Sequence, residues 1–359
     1  MSFFFQDRHT YTLVVNVLFY FIDILSWNSE SFKDMVDPRL ADLSKSLPAI
    51  LQQARAKGTN KAYSQAFDRW ALWASGFKEI CIFPAQFSHI TLYLTHLAQS
   101  AKSFAPIQQA LCSLAWAHSV NGLEVPTKHP LIVETVNGIK RMLAQPTSHK
   151  EPFTACNIKE FFNIVDSLSL TDVRNTCMII TAFFGFMRIS ELLSIKRCDI
   201  TVHKTHIEVN IPQAKTDQLR QGRVVFISVM QDNECPVALL QLYAKLSGFK
   251  LEHNSNAFLF ARIIFKNKKL SLHDTKSPLS YNNARDIVKK KAGQINLDSR
   301  MYSTHSMRSG GATSAASAGT SERLLQLHGR WACSSSKDRY IKEGLNSRLE
   351  VSRNLLAHQ

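Results

Sequence analysis

His305-Ser-Met-Arg308 places a histidine and an arginine one helical turn apart, where both can reach one phosphate from a single face. Gly329-Arg330-Trp331 follows, and nine residues after Trp331 comes Tyr340, in Arg339-Tyr340-Ile341-Lys342. A tyrosine hydroxyl brought to a phosphate held in this way can attack its phosphorus. Upstream, Phe183-Phe-Gly-Phe-Met-Arg188-Ile-Ser-Glu191 supplies a second arginine, and Ala214-Lys215-Thr216-Asp217-Gln218 a lysine. A phosphodiester resists attack because charge builds on its non-bridging oxygens, and without a metal the protein must supply the opposing charge. Arginine is well suited to supplying it, because its planar guanidinium stays ionised and offers two parallel donors. Arg188 and Arg308 are assigned the clamp. A salt bridge from Arg188 to Glu191 on the following turn is an equal reading, and the two are compatible, since a carboxylate can orient an arginine without removing its charge.

In this order and spacing the residues resemble the tyrosine recombinases, the phage integrase family of DNA strand-exchange enzymes. The resemblance implies that Tyr340 is the nucleophile, forming a 3'-phosphotyrosyl link and freeing a 5'-hydroxyl. It makes Lys215 the general acid for the departing 5'-oxygen, with Lys204 the weaker candidate. His305 would hydrogen-bond the scissile phosphate or take the tyrosine proton. Many members carry a second histidine where Trp331 stands and some phage and yeast members carry tryptophan, so its indole N–H is a further expected donor. His328 is an alternative occupant of that role, three residues early. The family further implies a helical domain and a catalytic domain closing around duplex DNA, four protomers in the synaptic complex, and no cofactor, metal or ATP. The wording of Gly185–Glu191 and His328–Trp331 is most similar to members borne by eukaryotic mobile elements. A domesticated descendant that binds DNA without cutting it, and a type IB topoisomerase, are the competing readings.

The elements that must position these residues are mostly helical. From Asp37 to Leu143 apolar residues recur at helical spacing: Thr59 is expected to cap a helix bearing Tyr63, Phe67, Trp70 and Ala74, a second helix starts near Ser88, a third follows Pro106 and stops at Asn121-Gly122, and Pro130 opens a fourth. The aromatic stripe reads as core. Ala144 to Phe153, with two prolines, reads as a linker. Beyond it helices are expected over 158–168, 174–185, 282–291 and 321–328, and strands over 206–211 and 223–227, joined by a long polar tip. Ser309 to Thr313, with Ala315-Ala316, gives small residues where a helix packs closely on the active centre. The fold class is thus mainly α with a small antiparallel sheet (α+β). The domains expected are a terminal extension (1–36), a helical DNA-binding domain (37–145), a catalytic domain (150–345) and a tail (346–359). The family resemblance implies that the residues after Tyr340, including Leu345, Leu349, Leu355 and Leu356, form a helix docking on a neighbouring protomer, the alternative being that it packs on its own subunit.

The 359-residue chain carries a formal net charge of +15, which favours a polyanionic partner. Lys57, Lys61, Lys102, Lys140 and Arg141 are nominated for the DNA backbone in the helical domain. Lys266, Lys268, Lys269, Arg285, Lys289, Lys290 and Lys291 are nominated in the catalytic one. The seven cysteines are scattered, with no C-x-x-C pair and no histidine at zinc-finger spacing, as in a reduced intracellular protein, nuclear if the source is eukaryotic. Tyr11 to Leu25 is the most apolar stretch, but it is short for a bilayer span, carries Asn16 and Asp23, and lacks a good cleavage site after it. Neither membrane insertion nor secretion is expected.

Overall fold

The computed structural model describes residues 36–146, 149–211, 223–251, 255–266, 269–273, 276–342 and 344–355. It divides into two compact units, one up to residue 147 and one from residue 148. The expected extension and its apolar stretch lie almost wholly outside the described residues, and so do Lys215, Lys268 and Leu356. No helix among the described residues is long and apolar enough to cross a membrane.

The first unit is all-helical: α1 (Pro38–Gln53), α2 (Lys57–Ala74), α3 (Phe87–Ser100), α4 (Ala105–Val120) and α5 (Pro130–Met142). Phe67, Trp70 and Ala74 recur on one face of α2 and are fully buried, so the aromatic stripe is core. Trp70 meets Tyr93 edge-on, and its indole Nε1 donates to the Ile82 carbonyl at 2.9 Å, which satisfies its one polar group. Thr59 is not the cap expected of it. The helix begins two residues earlier, after Ala56, with no side-chain cap.

The second unit contains α6 (Ala155–Asn163), α7 (Leu170–Phe184), α8 (Ile189–Ser194), β1 (Ile200–Val202), β2 (His206–Ile211), β3 (Arg223–Ser228), α9 (Pro236–Ser247), β4 (Ile263–Lys266) and β5 (Lys269–Leu272). It ends with α10 (Tyr281–Gln294), α11 (Thr304–Ser317), α12 (Glu322–Gly329), α13 (Ser334–Asp338) and α14 (Leu345–Asn354). Strands β1, β2 and β3 form one antiparallel sheet in that order, with Ile207 opposite Ile227 and Val209 opposite Val225 on its buried face. β4 and β5 pair separately. The chain is therefore mainly helical with small antiparallel sheets, as its periodicity predicts. Helix α6 is shorter than expected: it is fixed by a capping box between Thr154 and Asn157 and ends at Asn163. Nor is Phe153 linker. It is buried in the core, and its N–H donates to the Ser306 carbonyl, which ties the entry of this unit to α11.

Helix α7 is buried along nearly its whole length, and α11 packs against it through Gly311 and against Phe153 through Gly310. A Cβ at Gly310 would lie 2.1 Å from the Phe153 carbonyl oxygen, and one at Gly311 would lie 2.2 Å from that of Phe183. Only glycine allows the approach that brings the start of α11 to the end of α7.

Candidate functional site

Helix α7 ends at Phe184, and the turn that follows puts Phe186 at φ +45°, a left-handed backbone, before Arg188 starts α8. Glu191, one turn into α8 and almost fully buried, folds back on that start. Its carboxylate accepts from the Arg188 backbone N–H at 2.9 Å and from Arg188 Nη1 at 2.6 Å. The pairing expected of these two residues is present, and Glu191 has two more partners. Arg330 Nη2 donates to it at 2.9 Å, and Arg308 Nη1 lies 3.7 Å away. Three guanidiniums thus surround one carboxylate, leaving two positive charges uncompensated.

Arg308, on α11, is wholly buried. Its Nη1 donates to the Phe186 carbonyl and its Nη2 to that of Gly329 at 2.6 Å. Its guanidinium carbon lies 4.6 Å from the Trp331 ring centroid and 4.9 Å from that of Tyr340, so the two rings cover the charge as cation–π partners. Arg330 ends α12 in the left-handed region at φ +57° and turns its side chain inward to the carbonyls of Gly185, Phe186 and His328.

Burial first, then the neighbouring Arg188, lowers the pKa of Arg308 to about 9, with Arg330 acting in the same direction and Glu191 and Tyr340 opposing. The arginine stays charged at neutral pH. Arg330 is lowered too, chiefly by burial, against the pull of Glu191. For Glu191 burial is the largest influence and acts upward. Arg330, the Arg188 backbone and side chain, and Arg308 together outweigh it and hold the carboxyl below its ordinary value. That excess positive charge would be relieved by an anion.

Tyr340 follows α13 and is half-buried, its ring 5.6 Å from Trp331 and 6.4 Å from His305. Two hydroxyls of α11 hold its carbonyl, Ser309 Oγ donating at 2.5 Å and Thr313 Oγ1 at 3.3 Å, while Thr313 Oγ1 also accepts from Lys342 N–H at 3.0 Å. His305 is exposed on the first turn of α11, where the helix N-terminus favours an anion. Trp331 is buried. Among the described residues its Nε1 has no hydrogen-bond partner, nor have the Nε atoms of Arg308 and Arg330. His328 is not in the cluster's open side: its Nε2 meets the Phe184 carbonyl at 2.8 Å and its ring abuts Phe186 edge-on.

The structure therefore brings Arg188, Glu191, His305, Arg308, Trp331 and Tyr340 together. The residue given no role by sequence reasoning is Arg330. Its signal was a basic residue wedged between a helix-ending glycine and Trp331. Of the nominated DNA contacts, Lys57, Lys61, Lys102, Lys140, Arg141, Lys289 and Lys290 are exposed, and Arg285 is partly so and pairs with Asp286. Lys266 and Lys269 stand at the facing ends of β4 and β5. Lys291 must be corrected: it is buried and ion-paired with Asp172 at 2.6 Å, inside the core rather than on the surface.

Residues 152–345, more than half of the chain, match the phage integrase family. The chain belongs to that family of DNA breaking-and-rejoining enzymes and is an enzyme of DNA recombination. It is 25% identical over 298 residues to an integrase/recombinase XerD homologue of Selenomonas ruminantium, covering 82% of this chain and 84% of that protein. Two solved structures share its fold. The XerH site-specific recombinase bound to palindromic difH has a TM-score of 0.56 at 14% identity, covering 91% of this chain and 92% of its own. The Tn1549 transposon integrase in complex with circular intermediate DNA has a TM-score of 0.54 at 15% identity, covering 84% and 97%.

Proposed function

We propose that the chain recombines duplex DNA site-specifically through a covalent tyrosine ester. Tyr340 Oη attacks the scissile phosphorus, the P–O5' bond breaks, and a 3'-phosphotyrosyl link forms. Lys215 protonates the departing 5'-oxygen, and a 5'-hydroxyl of a second strand later reverses the step. Arg188 and Arg308 neutralise the phosphate, the Trp331 indole N–H donates a hydrogen bond to it, His305 takes the tyrosine proton from the open side, and Arg330 and Glu191 orient the arginines. The observation that carries this reading is the buried cluster of three guanidiniums on one carboxylate, covered by the ring of Tyr340. Tyr340 lies over Arg308, and attack requires the ring to lift from the guanidinium and leave it to the phosphate.

A homotetramer bridging two DNA sites fits an apolar feature of the same unit. A cavity of about 1060 Å³ is lined by Val224, Phe226, Leu324 and Leu327, among others. Helix α14 exposes Leu349, and Val351 and Leu355 beside it are more exposed still, so the tail of one protomer is chemically suited to the cavity of the next. The wording of Gly185–Glu191 and His328–Trp331 supports a mobile-element origin.

The test is a nicked suicide duplex, drawn from the ends of the native element or a randomised pool. Wild type is expected to form an adduct that survives denaturant and chelator, and Tyr340→Phe to lose it by at least ~10³-fold. Salt-sensitive DNA binding with no adduct on any duplex would sink the enzymatic reading in favour of a binding protein. Relaxation of a plasmid lacking any specific site would instead point to a topoisomerase.

A further inference from the structure

The turn between β1 and β2 brings His203, His206 and Glu208 together, apart from the arginine cluster in the same unit. Glu208 Oε1 lies 3.3 Å from His203 Nε2 and 3.6 Å from His206 Nε2, and the three ligand atoms all fall within 4.8 Å of one another. Donors on a tetrahedral ion with bonds of about 2.0–2.1 Å stand about 3.3–3.4 Å apart, a spacing Glu208 already approaches with each imidazole; the two stacked rings must turn to bring both Nε2 atoms onto one ion. We propose that this turn binds a divalent transition metal of the zinc class through His203 Nε2, His206 Nε2 and Glu208 Oε1.

The backbone builds the set. His206 and Glu208 are two apart on β2 and so share one face of the sheet. His203 joins them because the turn closes with its N–H donating to the His206 carbonyl at 2.9 Å. The imidazoles stack at 4.5 Å between centroids and 15° between planes. Thr205 Oγ1 lies 3.0 Å from His206 Nδ1 and occupies that ring nitrogen, which leaves Nε2 for the ion. Phe226, opposite Glu208 across the strands, flanks the site with its ring 5.7 Å from His206.

Two imidazoles with one carboxylate suit zinc, copper or nickel better than magnesium or calcium, which favour all-oxygen shells. The three side chains are 30–41% exposed, so an ion can enter from solvent, and a fourth position stays open to water. A plain ion pair is the competing account. An ion pair with Glu208 is complete with one of the two imidazoles, whereas an ion uses both, and metal titration separates the two accounts. β2 runs roughly 17 Å from His206 to Ile211, beyond which the sequence continues toward Lys215. The ion would thus pin the root of the strand that leads toward Lys215.

The test uses the full chain stripped with chelator, titrated with Zn²⁺ by calorimetry and with Co²⁺ by visible absorption, and melted with and without Zn²⁺. Wild type is expected to take up one equivalent of Zn²⁺, with a ligand-field spectrum for Co²⁺ and a raised Tm. The paired substitutions His203→Asn and His206→Asn should weaken the tightest binding by ~100-fold or more and abolish the Tm shift. Glu208→Gln keeps the shape of the turn and should weaken binding in the same direction, which keeps the question open to measurement if the double variant fails to fold. No uptake by wild type, or equal affinity in wild type and the folded variants, overturns the proposal.

Discussion

Lys291 and Glu191 are both buried charges in the catalytic unit, and they are partnered differently. Lys291 meets one carboxylate, Asp172, at 2.6 Å, so the pair is neutral. Glu191 meets three guanidiniums, and two of those arginines lie below their ordinary pKa because burial and mutual repulsion outweigh the single carboxylate. The tryptophans repeat the contrast. Trp70 in the helical unit has its N–H satisfied by the Ile82 carbonyl, whereas Trp331 buries its own without a partner among the described residues. A balanced cluster serves the fold. A cluster with spare positive charge is suited to an anion, which under the proposed function is the scissile phosphate.

The sharpest way to break this contrast is to exchange the cations. Arg308→Lys keeps one charge but loses the forked donor pair, and single-turnover cleavage is expected to fall about 10²–10³-fold. Replacing Lys291 and Asp172 together by Met and Leu should leave cleavage unchanged and stability neutral or up to about 1–4 kcal/mol higher in urea unfolding. Cleavage lost in the second case would mean that both clusters are functional. Glu191→Gln removes the only anion from among three arginines and is expected to cost about 3–5 kcal/mol. Sulfate should restore part of the resulting loss in Tm, because it supplies the missing charge; no response to sulfate would argue against an anion site.

Gly311→Ala tests the scaffold beneath the cluster. The added methyl meets the Phe183 carbonyl and the Phe186 ring, which should cost about 1–3 kcal/mol and cleavage with it. A pH effect follows from Glu191. Its folded pKa is depressed, so its contribution is present above the unfolded value of about 4.3 and is lost as pH falls through the lower folded value. Stability of wild type should therefore decline through that acidic window more steeply than that of Glu191→Gln. The smallest expected effect is that of Ser309→Ala, which removes one of two hydroxyls on the Tyr340 carbonyl and is worth about 1 kcal/mol. If Tyr340 must lift to react, that variant cleaves no more slowly than wild type despite its lower stability.

Much of the site was legible because its members lie in short stretches whose order carries meaning, as in His305 to Arg308 and Trp331 to Tyr340. The helical unit was legible from period alone. Arg330 was not, since its inward turn depends on a left-handed residue at the end of α12, a backbone state that the sequence hides in a non-glycine position. The run Lys289-Lys290-Lys291 misled because its last member falls on the buried stripe of its helix, seven residues after Ala284 and three after Val288, beside Ala292. Strands β4 and β5, four residues each and lysine-bearing, lack an apolar alternation long enough to announce them. The histidines at 203 and 206 became neighbours of Glu208 only once a turn had closed between two strands.

Helix α11 carries His305 and Arg308, is pressed onto Phe153 and Phe183 through Gly310 and Gly311, and grips the Tyr340 carbonyl through Ser309 and Thr313. Nine consecutive residues thus encode the helix's share of the arginine cluster, its seating and its hold on Tyr340, the proposed nucleophile. A single inserted residue between Arg308 and Thr313 would swing Thr313 by about 100° relative to Arg308. A change of length there is therefore expected to cost more than a single substitution, and insertions in related chains should be confined to the segments on either side.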